Sequence, residues 1–177
     1  MATIRHTELK FKYEQAEEKV KRGLLEVRIA TPAGEVTIFV VHLKSRFTDL
    51  PDDPHSAERR LGEAVAIRDA VLAEFPDPET ARFIIIGDCN DDKASKPLQR
   101  LLERGKTRIA RLLPAADSRG EKWTHNYHKE DSYSRVDHVL VSPGLLPAVQ
   151  SGEARIYDGP GVLVASDHRP VVVTLDF

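Results

Sequence analysis

Four short polar clusters stand where apolar runs of the chain end. His42-Leu43-Lys44-Ser45 follows the run VTIFVV, and Asp88-Cys89-Asn90-Asp91-Asp92 follows FIIIG. Asp137-His138 sits inside SRVDHVLVS, and Ser166-Asp167-His168-Arg169-Pro170 directly precedes VVVTL. Buried strand ends are rigid, and a reactive constellation needs rigid placement. Carboxylates and amide oxygens are hard ligands suited to Mg²⁺ or Mn²⁺. Histidines beside them can move protons or hold a phosphate oxygen, and lysine neutralises phosphate charge. Together these are the groups that phosphoester hydrolysis requires: a cation on the phosphate, an activated water and donors for the developing charge. Each cluster alone also has a structural reading, as a strand-end histidine, an Asx turn or a paired carboxylate. Four in one order are far more specific than any one.

The elements that must position them follow from periodicity. Leu25, Val27 and Ile29 alternate with Glu26 and Arg28, as in a half-buried strand. Pro32-Ala33-Gly34 marks a turn, so this strand and Val36 to Leu43 form a hairpin. A loop is expected over Arg46 to His55. A helix is expected from Ser56 to Glu74, with Ser56 as N-cap and Leu61, Ala64, Val65, Ile67, Ala70, Val71 and Leu72 as its apolar face. A second helix is expected over Ser95 to Glu103, capped at Ser95 and stopped near Gly105. Strands are expected at Phe83 to Gly87, Trp123 to His128, Arg135 to Ser142, weakly at Ala154 to Tyr157, and strongly at Pro170 to Leu175. Glu8 to Tyr13 alternates like a short strand within an otherwise unassigned stretch, residues 1–23. Strands outnumber helices, so the class mixes α and β.

The chain of 177 residues suits one domain, with 41% hydrophobic and 31% charged residues. Its formal charge of −2 lacks the basic footprint of a dedicated nucleic-acid binder but leaves room for local contact with nucleic acid. Cys89 is the single cysteine, which excludes an internal disulfide. No apolar run approaches the roughly 20 residues that span a bilayer, and the first residues carry no export signal pattern. As it stands, the sequence reads as cytoplasmic.

These clusters resemble the endonuclease/exonuclease/phosphatase superfamily. Val40 to Ser45 matches its strand-His-Leu-Lys-Ser motif. Gly87 to Asn90 matches Gly-Asp-Phe-Asn, with Cys89 in the aromatic's place. Arg135-Val136-Asp137-His138 matches Arg-Ile-Asp-Tyr, and Ser166 to Val171 matches Ser-Asp-His-Arg-Pro-Val without change. Trp123-Thr124 and Tyr127 resemble a Trp-Thr-Tyr stretch of bacterial nuclease-like members. The resemblance covers roughly Arg22 to the end. It implies an α+β fold, a four-layer α/β/β/α sandwich of the deoxyribonuclease-like type, here with its first sheet incomplete. It implies a metal-dependent phosphodiesterase, nuclease-like rather than lipid- or inositol-directed, acting on a phosphoester such as nucleic acid.

By the same resemblance, His168 acts on water or phosphate and is oriented by Asp137. Asp88 positions or activates the water, Asn90 helps to hold it, and His42 donates to a phosphate oxygen. Asp167, Asp88 and Asn90 are the expected ligands of Mg²⁺ or Mn²⁺, and Lys44 a phosphate contact. Cys89 is expected to be a buried, inert thiol.

Two motifs the resemblance calls for, an early asparagine and a metal-binding glutamate, are absent. Only 41 residues precede His42, and Glu8, Glu14, Glu17, Glu18 and Glu26 stand outside the expected context. The chain is therefore expected to lack the family's amino-terminal part, to expose an unpaired edge near Leu24 to Leu43, and to associate with itself there. A fragment of a longer chain, a self-associating truncation and a non-catalytic phosphoester-binding module derived from the fold all satisfy this pattern. Hydrolysis is expected to be weak or absent.

Overall fold

The computed structural model describes residues 1–48 and 51–177. Asp49 and Leu50, within the expected loop of Arg46 to His55, lie outside the described residues. The chain begins with β1 (Ala2–His6), β2 (Lys10–Tyr13), β3 (Ala16–Lys19), β4 (Leu24–Thr31) and β5 (Gly34–His42). Then come α1 (Ala57–Glu74), β6 (Phe83–Asp88) and α2 (Lys96–Leu102), followed by the two-residue strands β7 (Glu103–Arg104), β8 (Thr107–Arg108), β9 (Arg111–Leu112) and β10 (Ala115–Ala116). It closes with β11 (His125–Tyr127), β12 (Ser132–Ser134), β13 (Asp137–Val141), β14 (Ala154–Ile156), α3 (Val162–Ala165) and β15 (Val171–Val172).

Six strands form one sheet in the order β1-β4-β5-β6-β13-β9, and β10-β14-β15 form a second. β5 and β6 run parallel, and the other pairings within the large sheet are antiparallel. Alternation along the strands gives the large sheet two apolar faces. Phe39, Val41, Phe83, Ile85 and Leu140 pack with Ala64, Ile67 and Val71 of α1 and with Leu98 and Leu101 of α2. Val36, Ile84, Val139 and Val141 form the core with Ala154 and Ile156 on the other side, where the small sheet lies. The class is α+β, with a six-stranded sheet, a three-stranded sheet and the two-stranded pairs β2–β3, β7–β8 and β11–β12.

Several expectations are corrected. The hairpin β4–β5 is not an open edge: β1 pairs antiparallel with β4 from Ala2↔Arg28 to His6↔Leu24 and covers it. The unassigned residues 1–23 thus supply an edge strand and the hairpin β2–β3, whose Phe11 is buried in the core over α1. The short sheet is the other one, and its strand β15 is assigned to Val171–Val172, where it pairs with β14; beyond it Gln150 N donates to Thr174 O and Val149 bridges Leu175. Ser56 does not cap α1; it is left-handed with no side-chain capping bond. Asp53 does so instead, its two carboxylate oxygens accepting from Glu58 N and Arg59 N at 2.9 and 3.2 Å. Ser95 likewise makes no side-chain cap on α2.

Candidate active site

Strand register sets the site. His42 of β5 lies opposite Asp88 of β6, and Asp88 lies opposite Asp137 of β13. Opposed residues on paired strands project to one face, so three strands place the three side chains in one row. The row needs Gly87. Its φ is +141°, and an added Cβ would stand 2.0 Å from the Val41 carbonyl oxygen, so only glycine lets β6 approach β5 so closely.

The fourth cluster is stitched to this row by β11. Asn126 N donates to Asp167 O at 2.9 Å, and Arg169 N donates to Thr124 O at 2.7 Å. His125 and His168 form a bridge between the two segments. His168 Nδ1 then lies 2.8 Å from Asp137 Oδ2. With its proton on Nδ1 the ring donates to the carboxylate, which fixes its orientation and leaves the Nε2 lone pair open. Thr124 Oγ1 accepts from both Val136 N and Asp137 N at 3.1 Å, which holds the Asp137 backbone.

Asp88 is tied to Asn90 through both oxygens: Asn90 N donates at 2.7 Å and Asn90 Nδ2 at 3.0 Å. Asn90 adopts φ +52°, a left-handed position that asparagine tolerates. Its amide also donates to Leu43 O, which joins the loops after β5 and β6. Burial pushes the Asp88 carboxyl above its ordinary value; the Asn90 N–H opposes this, and the Asp137 charge adds to it. Burial, with the nearby Arg22 charge, lowers the His42 imidazole, although Asp88 pulls the other way. His42 Nε2 lies 3.5 Å from Asp88 Oδ2, with about half of its side chain exposed. A neutral, exposed imidazole at this position is a hydrogen-bond donor for an incoming oxygen.

Lys44 and Asp167 have surroundings that the sequence did not show. The Lys44 ammonium donates to Ser45 O and to Phe47 O at 3.2 and 2.5 Å, bonds that hold its own loop. Asp88 and Asp167 do not share one cation cluster. Asp88, Asp137 and His168 bring ligand atoms within 4.8 Å of one another, and so do His125, Asp167 and His168, with only His168 common to both. The hard oxygens of the first group fit a divalent cation such as Mg²⁺ or Mn²⁺. Neither group contains a glutamate. Glu26 is fully buried and bound to His6 at 2.7 Å and Arg28 at 2.5 Å. Cys89 is buried, and burial pushes its thiol far above the ordinary range, as expected for an inert packing residue.

Four residues at or around the site went unread in the sequence. His125 alternates with Tyr127 beside Thr124, a spacing that puts it on the same face. Arg22 is exposed near His42 and donates to Leu43 O. Arg60 and Glu63 occupy the buried face of α1. Glu63 accepts from Lys21 N and Lys44 N at 3.0 and 2.6 Å, while Arg60 binds Asp91 at 2.9 Å and Lys44 O at 3.2 Å. These two brace the loops that follow His42 and Asp88. Their signal was two charged residues at helical spacing ahead of the apolar stripe Ala64, Ile67, Val71.

The pattern of the endonuclease/exonuclease/phosphatase family matches residues 14–168. The chain belongs to this family. No curated protein sequence matches it. Among solved structures it is similar to sphingomyelinase C from Streptomyces griseocarneus, at 19% identity and a TM-score of 0.60, over 87% of this chain and 57% of that one. It is similar to a 3'-5' exonuclease from Neisseria meningitidis, at 18% identity and 0.55, over 89% and 66%. A beta toxin variant from Staphylococcus aureus with bound magnesium ions is similar at 13% identity and 0.59, over 86% and 57%. The chain thus spans less than two thirds of the length of each. At such identities the likeness is one of fold.

Proposed function

We propose that this family member is a divalent-metal-dependent phosphoester hydrolase, a nuclease-like phosphodiesterase with low turnover. The observation that carries the reading is the row His42–Asp88–Asp137 completed by the 2.8 Å contact of His168 with Asp137. A divalent cation held by Asp88 and its neighbours would neutralise phosphate charge and lower the pKa of a bound water. The chain's own groups do the rest. Asp88, with its carboxyl raised by burial, orients or deprotonates the attacking water. His168 Nε2 exchanges a proton at the reacting centre while Asp137 holds the ring. His42 donates to a phosphate oxygen, and Arg22 supplies positive charge beside it. Low turnover follows from a ligand set without glutamate, because Mg²⁺ gives up its waters reluctantly and needs strong anchoring.

The same shortage of ligands favours a second reading, a non-catalytic phosphoester-binding module. The two are separated by assaying bis(p-nitrophenyl) phosphate, plasmid DNA and sphingomyelin vesicles with the wild-type chain and with Asp137→Asn. A hydrolase of the proposed kind turns over the first two in preference to the third. The substitution lowers the rate about 10²–10⁴-fold, the range for a positioned acid–base group, and leaves substrate binding intact. Binding without turnover in both proteins would leave only the binding reading, and equal turnover in both would remove Asp137 from the reaction.

A further inference from the structure

The cluster that the row does not use is His125, Asp167 and His168. Its three ligand atoms lie within 4.8 Å of one another. His125 Nε2 and Asp167 Oδ2 are 3.7 Å apart. That is longer than the roughly 2.7–3.2 Å of a hydrogen bond, but near the ~3.4 Å edge of a tetrahedron with bonds of about 2.1 Å. The His125 and His168 rings stand 4.6 Å apart at 40°. Their backbones are already locked by the bridge between them and by the Asn126–Asp167 and Arg169–Thr124 hydrogen bonds, so gathering the ligands costs little ordering. His168 Nδ1 is held by Asp137, the carboxylate–imidazole arrangement that directs the other ring nitrogen to a metal. His125 and His168 are partly exposed and Asp167 largely so, which leaves an entry path.

Two imidazoles and one carboxylate form a borderline donor set, suited to Zn²⁺ or Co²⁺ rather than to Mg²⁺. We propose that His125, Asp167 and His168 form a separate transition-metal site that takes Zn²⁺ or Co²⁺ and shares only His168 with the oxygen-rich row. Its occupant withdraws His168 from the row, so such a cation antagonises the Mg²⁺- or Mn²⁺-supported reaction. That consequence rests on the hydrolase reading; the site itself does not.

The test is a titration of the full chain, ¹⁵N-labelled at histidine, with Zn²⁺ alone and separately with Mg²⁺ alone, read by imidazole ¹⁵N resonances. Zn²⁺ is expected to shift His125 and His168 in step and to saturate at one equivalent, while Mg²⁺ leaves His125 unmoved. His125→Ala and His125→Gln are expected to weaken Zn²⁺ binding about tenfold or more, the scale of a lost ligand or its supporting partner, and Asp88→Asn to leave it nearly unchanged. Zn²⁺ that shifts His168 without His125, or that binds His125→Ala as tightly as wild type, overturns the proposal. Stoichiometric Zn²⁺ binding by a chain that hydrolyses no phosphoester would uphold the site and remove the hydrolase reading.

Discussion

At the scale of residues, the site depends on side chains whose contacts come from elsewhere in the chain. Asp137 was legible as a carboxylate inside an apolar strand, which must have a partner; that partner is His168, 31 positions away. The loop contacts of Lys44 were not legible, because a sequence does not show which carbonyls will turn toward an ammonium, and Ser45 and Phe47 turn theirs. Arg169, adjacent to His168, shows the same dependence. It is buried, donates to Asp117 at 2.8 Å and stacks over Trp123. Burial alone would raise the Asp117 carboxyl, but Arg169 and the N–H groups of Arg119 and Glu121 outweigh it and hold the group well below its ordinary value. A depressed folded-state pKa stabilises the fold above the unfolded carboxyl value, about 3.9, and that contribution is lost as pH falls toward the folded value. Asp117→Asn is therefore expected to lower the urea midpoint at neutral pH, with the gap from wild type narrowing below about pH 4. A gap that does not change with pH would show that Asp117 contributes packing alone.

At the scale of elements, the positions of α1, α2, β5, β6 and β13 followed from apolar periodicity, because each buries a face against the same core. The hairpin β2–β3 did not follow, since it is mostly charged and buries one apolar residue, Phe11, while Tyr13 and Glu18 reach Arg59 of α1. Phe11 packs on Gly62 of α1 so closely that an added Cβ would meet its ring at 2.2 Å. Phe11→Ala is expected to cost about 3–5 kcal/mol by the usual cost of emptying an aromatic site. Gly62→Ala is expected to destabilise as well, against the ~1 kcal/mol that alanine gains over glycine in a helix. Urea unfolding measures both, and a stabilised Gly62→Ala would show that the hairpin moves aside freely. The brevity of β15 was hidden for another reason. PVVVTL has strand propensity along its whole length, but its partner changes from β14 at Val171 and Val172 to residues 148–150 at Thr174 and Leu175, so no single ladder runs through it.

At the scale of the whole molecule, the arrangement of clusters along the sequence was enough to indicate the α+β class and the family. It was not enough to place the open edge, because that depends on where residues 2–6 dock. β1 covers β4, so Leu24 to Leu43 is an interior hairpin. Removing residues 1–6 is expected to expose the edge of β4, with its unpaired N–H and C=O groups, and to promote association. Light scattering across concentration would show a rising mass for the shortened chain relative to wild type. Identical profiles would mean that β1 does not protect this edge.

Under the proposed function, the row His42–Asp88–Asp137 with His168 makes this chain a metal-dependent hydrolase. The most direct measurement follows cleavage of bis(p-nitrophenyl) phosphate with protein in excess, comparing wild type and His168→Ala after chelation and after addition of Mg²⁺ or Mn²⁺. Slow turnover is expected that appears only with the added cation, is faster with Mn²⁺ than with the more demanding Mg²⁺, and is lost in His168→Ala. Turnover that survives chelation, or that is equal in the two proteins, would contradict it.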